Sequence, residues 1–252
     1  MHAIGFVLAT LIGLTLGLFG GGGSILTVPV FVYVMQVEPK LAIAMSLPVV
    51  GMTSLVGAAR HWQAGNVQPG RALFFGAFAM SGAFVAARLS DHLQGRTQLF
   101  LLGLVMLFAS ALLLRDVAKG GQVATGSAGT ATSLLLAAVG LGVGALTGLI
   151  GVGGGFLIVP ALVLFARMPM HQAVGTSLLI IAMNSAAAFA GQRGVAQLPV
   201  VTVVAFTLCA VAGIVVGTRL ASRVSASALK RGFAVFLVLI AAWLLWHNWP
   251  LS

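Results

Sequence analysis

Of the 252 residues, 60% are hydrophobic and 6% are charged, against roughly 45–50% and about 25% in a soluble domain. Thirteen Lys and Arg with three Asp and Glu cannot clothe a water-soluble particle, whereas 33 glycines suit packed transmembrane helices. A soluble globule is excluded, and the net charge of +10 does not make a nucleic-acid binder, because the basic residues stand thinly between apolar runs.

The apolar runs, taken in chain order, predict ten segments: residues 3–19, 25–35, 41–59, 72–89, 99–114, 133–150, 156–166, 173–191, 198–220 and 229–246. The first lacks a basic leader and runs through Gly20-Gly21-Gly22-Gly23 into further apolar sequence, so it is expected to be retained as a membrane segment. Eight segments are long enough to approach or cross a hydrocarbon core of about 30 Å. Segments 25–35 and 156–166 reach only roughly 16 Å at about 1.5 Å per residue, and so predict half-helices. The Gly/Ser/Thr-rich stretch 116–130 is expected to be a linker between repeat one, 1–115, and repeat two, 131–252. Cys209 is the sole cysteine and lies in an apolar run, so neither an internal disulfide nor a thiolate metal cluster can form.

An offset of 131 residues lays Pro29 on Pro160 and aligns residues 13–89 with 144–220 without a gap. The coincidences include Gly17/Gly148, Gly20/Gly151, Gly22/Gly153, Gly23/Gly154, Ser46/Ser177, Ser54/Ser185, Gly82/Gly213 and Arg88/Arg219. The chain therefore reads as a tandem duplication. In each half the first two segments return the chain to its starting side and three crossings remain. An odd number of crossings stands the second half upside down, which is the inverted-repeat plan of many secondary transporters. The expected fold is an all-α polytopic membrane protein of two inverted five-segment repeats, each with a short half-helix after a Gly-rich tip. Lys40, Arg88, Arg96 and Arg193 fall on one side, and the other nine basic residues, Arg60 and Arg219 among them, fall on the other. The positive-inside rule places the larger set in the cytoplasm and both termini outside.

The two tips read Gly17-Leu-Phe-Gly-Gly-Gly-Gly-Ser-Ile-Leu-Thr-Val-Pro29 and Gly148-Leu-Ile-Gly-Val-Gly-Gly-Gly-Phe-Leu-Ile-Val-Pro160. Consecutive glycines at membrane depth leave amide N–H groups uncovered, which lipid tolerates only where they line a polar cavity. A half-helix beginning at Ser24 or Gly155 adds the positive end of its dipole, so the tips suit an anion. The competing explanation is that the glycines let helices pack closely. Candidate ligand groups are Gly22, Gly23, Ser24, Gly153, Gly154 and Gly155 at the tips, together with Ser46, Thr176, Ser177 and Asn184 on the long segments. Hydroxyls and an amide can donate to an anion without holding it too tightly, although Ser and Thr also bond back to their own helix. Arg88 and Arg219 share one repeat position, and either snorkel to lipid phosphate or draw anions into two vestibules. Arg60, His61, Gln192 and Arg193 end the third and eighth segments as interfacial anchors or a second polar ring.

With these residues in view, the sequence resembles the TauE/SafE, or sulfite exporter, family of membrane permeases. Both copies of its Gly-x-Gly-Gly-Gly-x-x-x-Val-Pro signature are present, as Gly20 to Pro29 with Ser24 in place of the last glycine, and as Gly151 to Pro160. The likeness extends over nearly the whole chain, through Ala42-Ile-Ala-Met-Ser-Leu47, Gly65-Asn66-Val67 and Ala173-Val-Gly-Thr-Ser-Leu178. It implies transport of sulfite or an organic sulfonate, often as export. Another small anion, a carboxylate or phosphonate, is the alternative.

Glu38, Asp91 and Asp116 are the only acids, all near loops, and the histidines show no metal-ligand spacing, so an integral membrane enzyme is the weaker reading. The expected partners are a small anion and the lipid bilayer, here the bacterial inner membrane, with no cofactor and no nucleic acid. A homodimer stays open, since the sequence identifies no interface.

Overall fold

The computed structural model describes residues 2–90, 95–118, 130–150, 155–190 and 199–247, which form ten α-helices and no strand. These are α1 (His2–Phe19), α2 (Gly22–Pro29), α3 (Pro39–Gln63), α4 (Pro69–Ser90), α5 (Gly95–Ala118), α6 (Thr130–Ile150), α7 (Gly155–Leu164), α8 (Met170–Ala190), α9 (Val200–Ala221) and α10 (Ala226–His247). Each corresponds to one expected segment, and most overrun the apolar run that predicted them. α3 is an example: Pro39 opens its first turn with a preset φ, and Arg60 and His61 in its last turn suit the negative end of the dipole. Likewise α5 continues to Ala118 and its Asp116 forms an ion pair with Lys230 of α10, so the expected linker begins as helix. Residues 119–129, the rest of that stretch apart from Thr130, lie outside the described residues.

Six described helices are long and apolar enough to cross a membrane: Leu41–Gln63, Pro69–Ala86, Phe100–Ala118, Met170–Ala190, Val200–Ala221 and Ala226–Trp246. In α1 and α6 the qualifying apolar stretches are shorter, Ile4–Phe19 and Ser133–Thr147. The outer surface is apolar, with Trp246 at 87% and Val201 at 84% exposure. Water would penalise such a surface, and lipid would not.

The half-helices are short for a local reason. Proline at position 29 or 160 lacks an N–H and crowds the carbonyl one turn back. After Pro29 the ladder resumes with the wider spacing of a π-helical turn, Val30–Val34, in which Met35 N–H donates to Val30 O at 3.0 Å. Val37 N–H then donates to Phe31 O at 2.9 Å across Gln36, whose φ is 56°. The second half repeats this exit. Ala166 N–H donates to Ala161 O at 3.4 Å, Met168 N–H to Leu162 O at 3.0 Å, and Arg167 carries a φ of 50°. Every one of these residues lies 131 positions beyond its counterpart.

Packing between the halves is reciprocal. α1 lies chiefly on α9, and α4 on α6, while α3 packs on α8 and α5 on α10. At Gly13 the backbone of α1 meets the Ala210 carbonyl, and at Gly144 the backbone of α6 meets that of Ala79. Similarly Gly213 faces Thr10, and Gly82 faces Leu141. Each contact is the other displaced by 131 residues with the halves exchanged, as a two-fold relation requires. At these crossings a methyl group would overlap a carbonyl oxygen, so glycine is needed to let the backbones touch.

Candidate functional site

The first Gly-rich tip meets the start of α7 at Gly155. A Cβ on Gly21 would overlap the Gly155 carbonyl, and a Cβ on Gly155 would stand 2.9 Å from Ser24 Oγ. Gly20 takes the left-handed backbone, φ 72°, that turns the chain out of α1. Its carbonyl accepts a hydrogen bond from Ser177 Oγ at 2.7 Å, a bond that spans the two halves. The hydroxyl also lies 2.8 Å from Val174 O of its own helix.

In the first turn of α2 the Ser24 N–H donates to Gly21 O at 3.3 Å, which leaves the Gly22 and Gly23 amides without an intrahelical acceptor, and no side chain caps the turn. Ser24 does not act as a cap, because its Oγ donates to Gly21 O at 2.7 Å. Gly22, Gly23, Ser24 and Gly155 are all buried. The available donors at the crossing of α2 and α7 are thus main-chain N–H groups at the positive end of a buried helix. Gly153 and Gly154 lie outside the described residues.

Close packing accounts for the small side of each tip residue. A Cβ on Gly22 would meet Phe236, and one on Gly23 would overlap the Ile12 carbonyl and crowd Leu16 and Thr15 of α1. Gly155 faces Ile181 of α8 as well as Ser24. The glycines thus serve packing with their Cα atoms, and any ligand would use their amides.

The expected hydroxyls separate. Ser46 Oγ donates to Ile43 O at 2.8 Å within α3, and Thr176 Oγ1 accepts from the Gln68 amide at 3.1 Å, so it secures the α3–α4 turn. Gln68 Nε2 also donates to Gln172 Oε1 at 2.6 Å, and Arg71 donates to Ala166 O at 3.1 Å. Only Ser177, Ser24 and Gly155 converge at the tips.

Asn184, one of the expected ligand groups, lies two turns beyond Ser177 on α8. Ser177, Ile181 and Asn184 follow the i, i+4, i+7 stripe of one α8 face. Ser177 touches the Gly20 tip and Ile181 touches Gly155, so Asn184 continues the same face past both tips. Its Oδ1 is buried and has no hydrogen-bond partner among the described residues. The same is true of Thr53 Oγ1 and Ser54 Oγ on α3. Thr53 is the repeat counterpart of Asn184, and Ser54 that of Ser185. The two helices touch here, since a Cβ on Gly51 would stand 3.1 Å from that of Ser185. An unpartnered buried polar atom costs about 1–3 kcal/mol, and three of them stand on this helix pair. The signal available in sequence was the coincidence of Ser54 with Ser185 next to Thr53 and Asn184.

Among the described residues no group of three or more His, Cys, Asp or Glu side chains is placed to hold a metal ion. Comparison with known proteins gives the arrangement its context. Residues 5–244 match the family model described as sulfite exporter TauE/SafE. The chain is similar to a probable membrane transporter protein of Xylella fastidiosa, 32% identical over 242 residues that cover 95% of this chain and 93% of the other. It is also similar to the probable membrane transporter protein YdhB of Bacillus subtilis, 29% identical over 93% of this chain and 96% of the other. A probable membrane transporter protein of Haemophilus influenzae is 26% identical over 93% and 94% of the two chains. No solved structure matches. The chain is a polytopic helical membrane transporter and belongs to the sulfite exporter TauE/SafE family.

Proposed function

We propose that this transporter exports a small sulfur oxyanion, sulfite or a short organic sulfonate, across the bacterial inner membrane. The observation that carries the reading is the meeting of the two half-helix starts at Gly21 and Gly155, with the α2 first turn uncapped and buried. Main-chain amides at a helix N-terminus favour an anion over a cation or a neutral solute. Gly22, Gly23, Ser24, Gly153, Gly154 and Gly155 would present amides. Ser177, Asn184 and Thr53 would provide neutral polar contacts, weak enough for release. Ser46 and Thr176 hold their neighbours in place. The choice of a sulfur oxyanion over a carboxylate or phosphonate leans on the family.

The reciprocal contacts between the halves support the two-fold plan. With three crossings after each hairpin it makes the repeats inverted, one tip approached from each face of the membrane. Purified protein in liposomes, loaded in turn with sulfite, methanesulfonate, acetate and methylphosphonate, tests the reading directly. Sulfite or methanesulfonate should leave fastest. Preference for acetate or methylphosphonate would keep the anion and reject the sulfur, while preference for a cation or neutral solute would end the reading.

A further inference from the structure

At the α4-facing end of α3 a second polar feature lies apart from the tips: a cavity of about 280 Å³ lined by Arg60, His61, Thr218, Arg219 and Ser222, with Asn66 at its edge. Two arginines line it, and no carboxylate is among its lining residues. Among the described residues neither arginine is in an ion pair, the one that forms being Lys230 with Asp116. His61 is 4% exposed, and its Nε2 is buried without a partner. His171, on the same wall, has its Nε2 at 3.1 Å from both Ala221 O and Val224 O. Two carbonyls cannot donate, so that nitrogen carries a proton and the ring is committed to the end of α9. The cavity is thus a hollow lined by two arginines and by no carboxylate.

We infer that this hollow is a second anion site, a vestibule in which Arg60 and Arg219 hold a small oxyanion before it reaches the tips. Its volume lies just below the roughly 300–1,000 Å³ of drug-sized ligand sites, which limits the guest to a small ion with at most a short organic tail. Two guanidiniums match the oxygens of a sulfite, sulfonate or phosphate group by paired N–H donors. Thr218, which lines the hollow, packs on Gly17, the first residue of the glycine motif: a Cβ there would stand 2.8 Å from Thr218 N. Three residues on lies Gly20, held by Ser177. Arg60 and Arg219 belong to the basic set that the positive-inside rule assigns to the cytoplasm, so the vestibule is the loading site for export. The loading role rests on the transport reading, whereas the binding site does not.

The test is equilibrium dialysis of the full-length protein, delipidated in an uncharged detergent at low ionic strength, against radiolabelled sulfite. Arg60→Gln and Arg219→Gln should each weaken the binding at least about tenfold, as expected for losing a hydrogen bond from a charged group. Arg223→Gln removes the same charge from an exposed turn that does not line the cavity and should leave binding unchanged. Equal effects of all three, or none of any, would overturn the vestibule. A lipid phosphate shares this chemistry, so the protein is also placed in nanodiscs of phosphatidylcholine with and without phosphatidylglycerol. Sulfite binding that is the same in both supports a free ion, and displacement by phosphatidylglycerol would assign the site to lipid. Protein that binds sulfite through Arg60 and Arg219 yet moves none across liposomes keeps the vestibule and defeats the transport reading. Flux untouched by either substitution does the reverse.

Discussion

Ser24 and Gly155 are the same position of the repeat, and they face each other: a Cβ on Gly155 would stand 2.9 Å from Ser24 Oγ. A residue that touches its own counterpart lies on the two-fold axis, where a side chain on one copy must be matched by its absence from the other. This explains why serine is tolerated at the first tip. Gly155→Ser should therefore destabilise the protein, with the Tm in detergent falling by several degrees. Combining it with Ser24→Gly and Ile181→Val, which relieve both contacts, should restore most of the loss. An unchanged Tm in the single variant would show that the tips are further apart than described.

Thr53 and Asn184 separate a binding role from a structural one. Thr53→Val and Asn184→Leu remove buried polar atoms that have no partner, so thermal stability should hold or rise, by up to about 1–3 kcal/mol. Anion flux in liposomes should fall at least about tenfold. Were both stability and flux to rise, the α3–α8 polar group would have no part in the pathway.

Ser177→Ala removes the hydroxyl that ties Gly20 to α8. The expected loss is about 0.5–1.5 kcal/mol of stability with reduced but measurable transport. Ser46→Ala, whose hydroxyl bonds only within its own helix, should change both much less. If the two serines behave alike, the bond across the halves carries no special weight.

The driving force follows from the acids. Of those described, Glu38 precedes α3 and Asp116 is paired with Lys230 near the end of α5. Neither is positioned as a proton or Na⁺ site within the membrane, and a potential negative inside favours anion exit by about 2.3 kcal/mol per charge per 100 mV. In liposomes a potassium gradient with valinomycin should set the direction of sulfite flux at equal pH. Flux that ignores voltage and follows an imposed pH gradient would assign proton coupling instead, with His61→Gln the first variant to make.

The fold was legible wherever a pattern is carried by the backbone. Pro29 and Pro160 mark two half-helices because a missing N–H acts the same way in any context, and the offset of 131 residues reappears in the matched turns at Gln36 and Arg167. Side-chain roles were legible only in part. Gly23 reads in sequence as an amide bared to an ion, yet its Cα faces Ile12 of α1, and which neighbour a glycine meets is a tertiary fact. Thr176 reads as a ligand, and nothing local reveals that it also receives the Gln68 amide from a distant turn. Arg60 and Arg219 read as separate anchors, because nothing local reveals that α3 and α9 bring their ends together. The side chain of Arg88, the counterpart of Arg219, lies outside the described residues.

The exchange of helices between halves bears on how such a chain is made and how it arose. α1 meets α9 backbone to backbone at Gly13 and Gly17, so the glycine face that bears them is bare until nearly the whole protein has been synthesised. During that interval the newborn first half carries an unsatisfied docking groove. A single half expressed alone would satisfy it only by pairing with another copy of itself. The duplicated chain is in that sense a dimer fused end to end, and the forerunner of this transporter would have worked as two separate chains, each lending the other its outer helix.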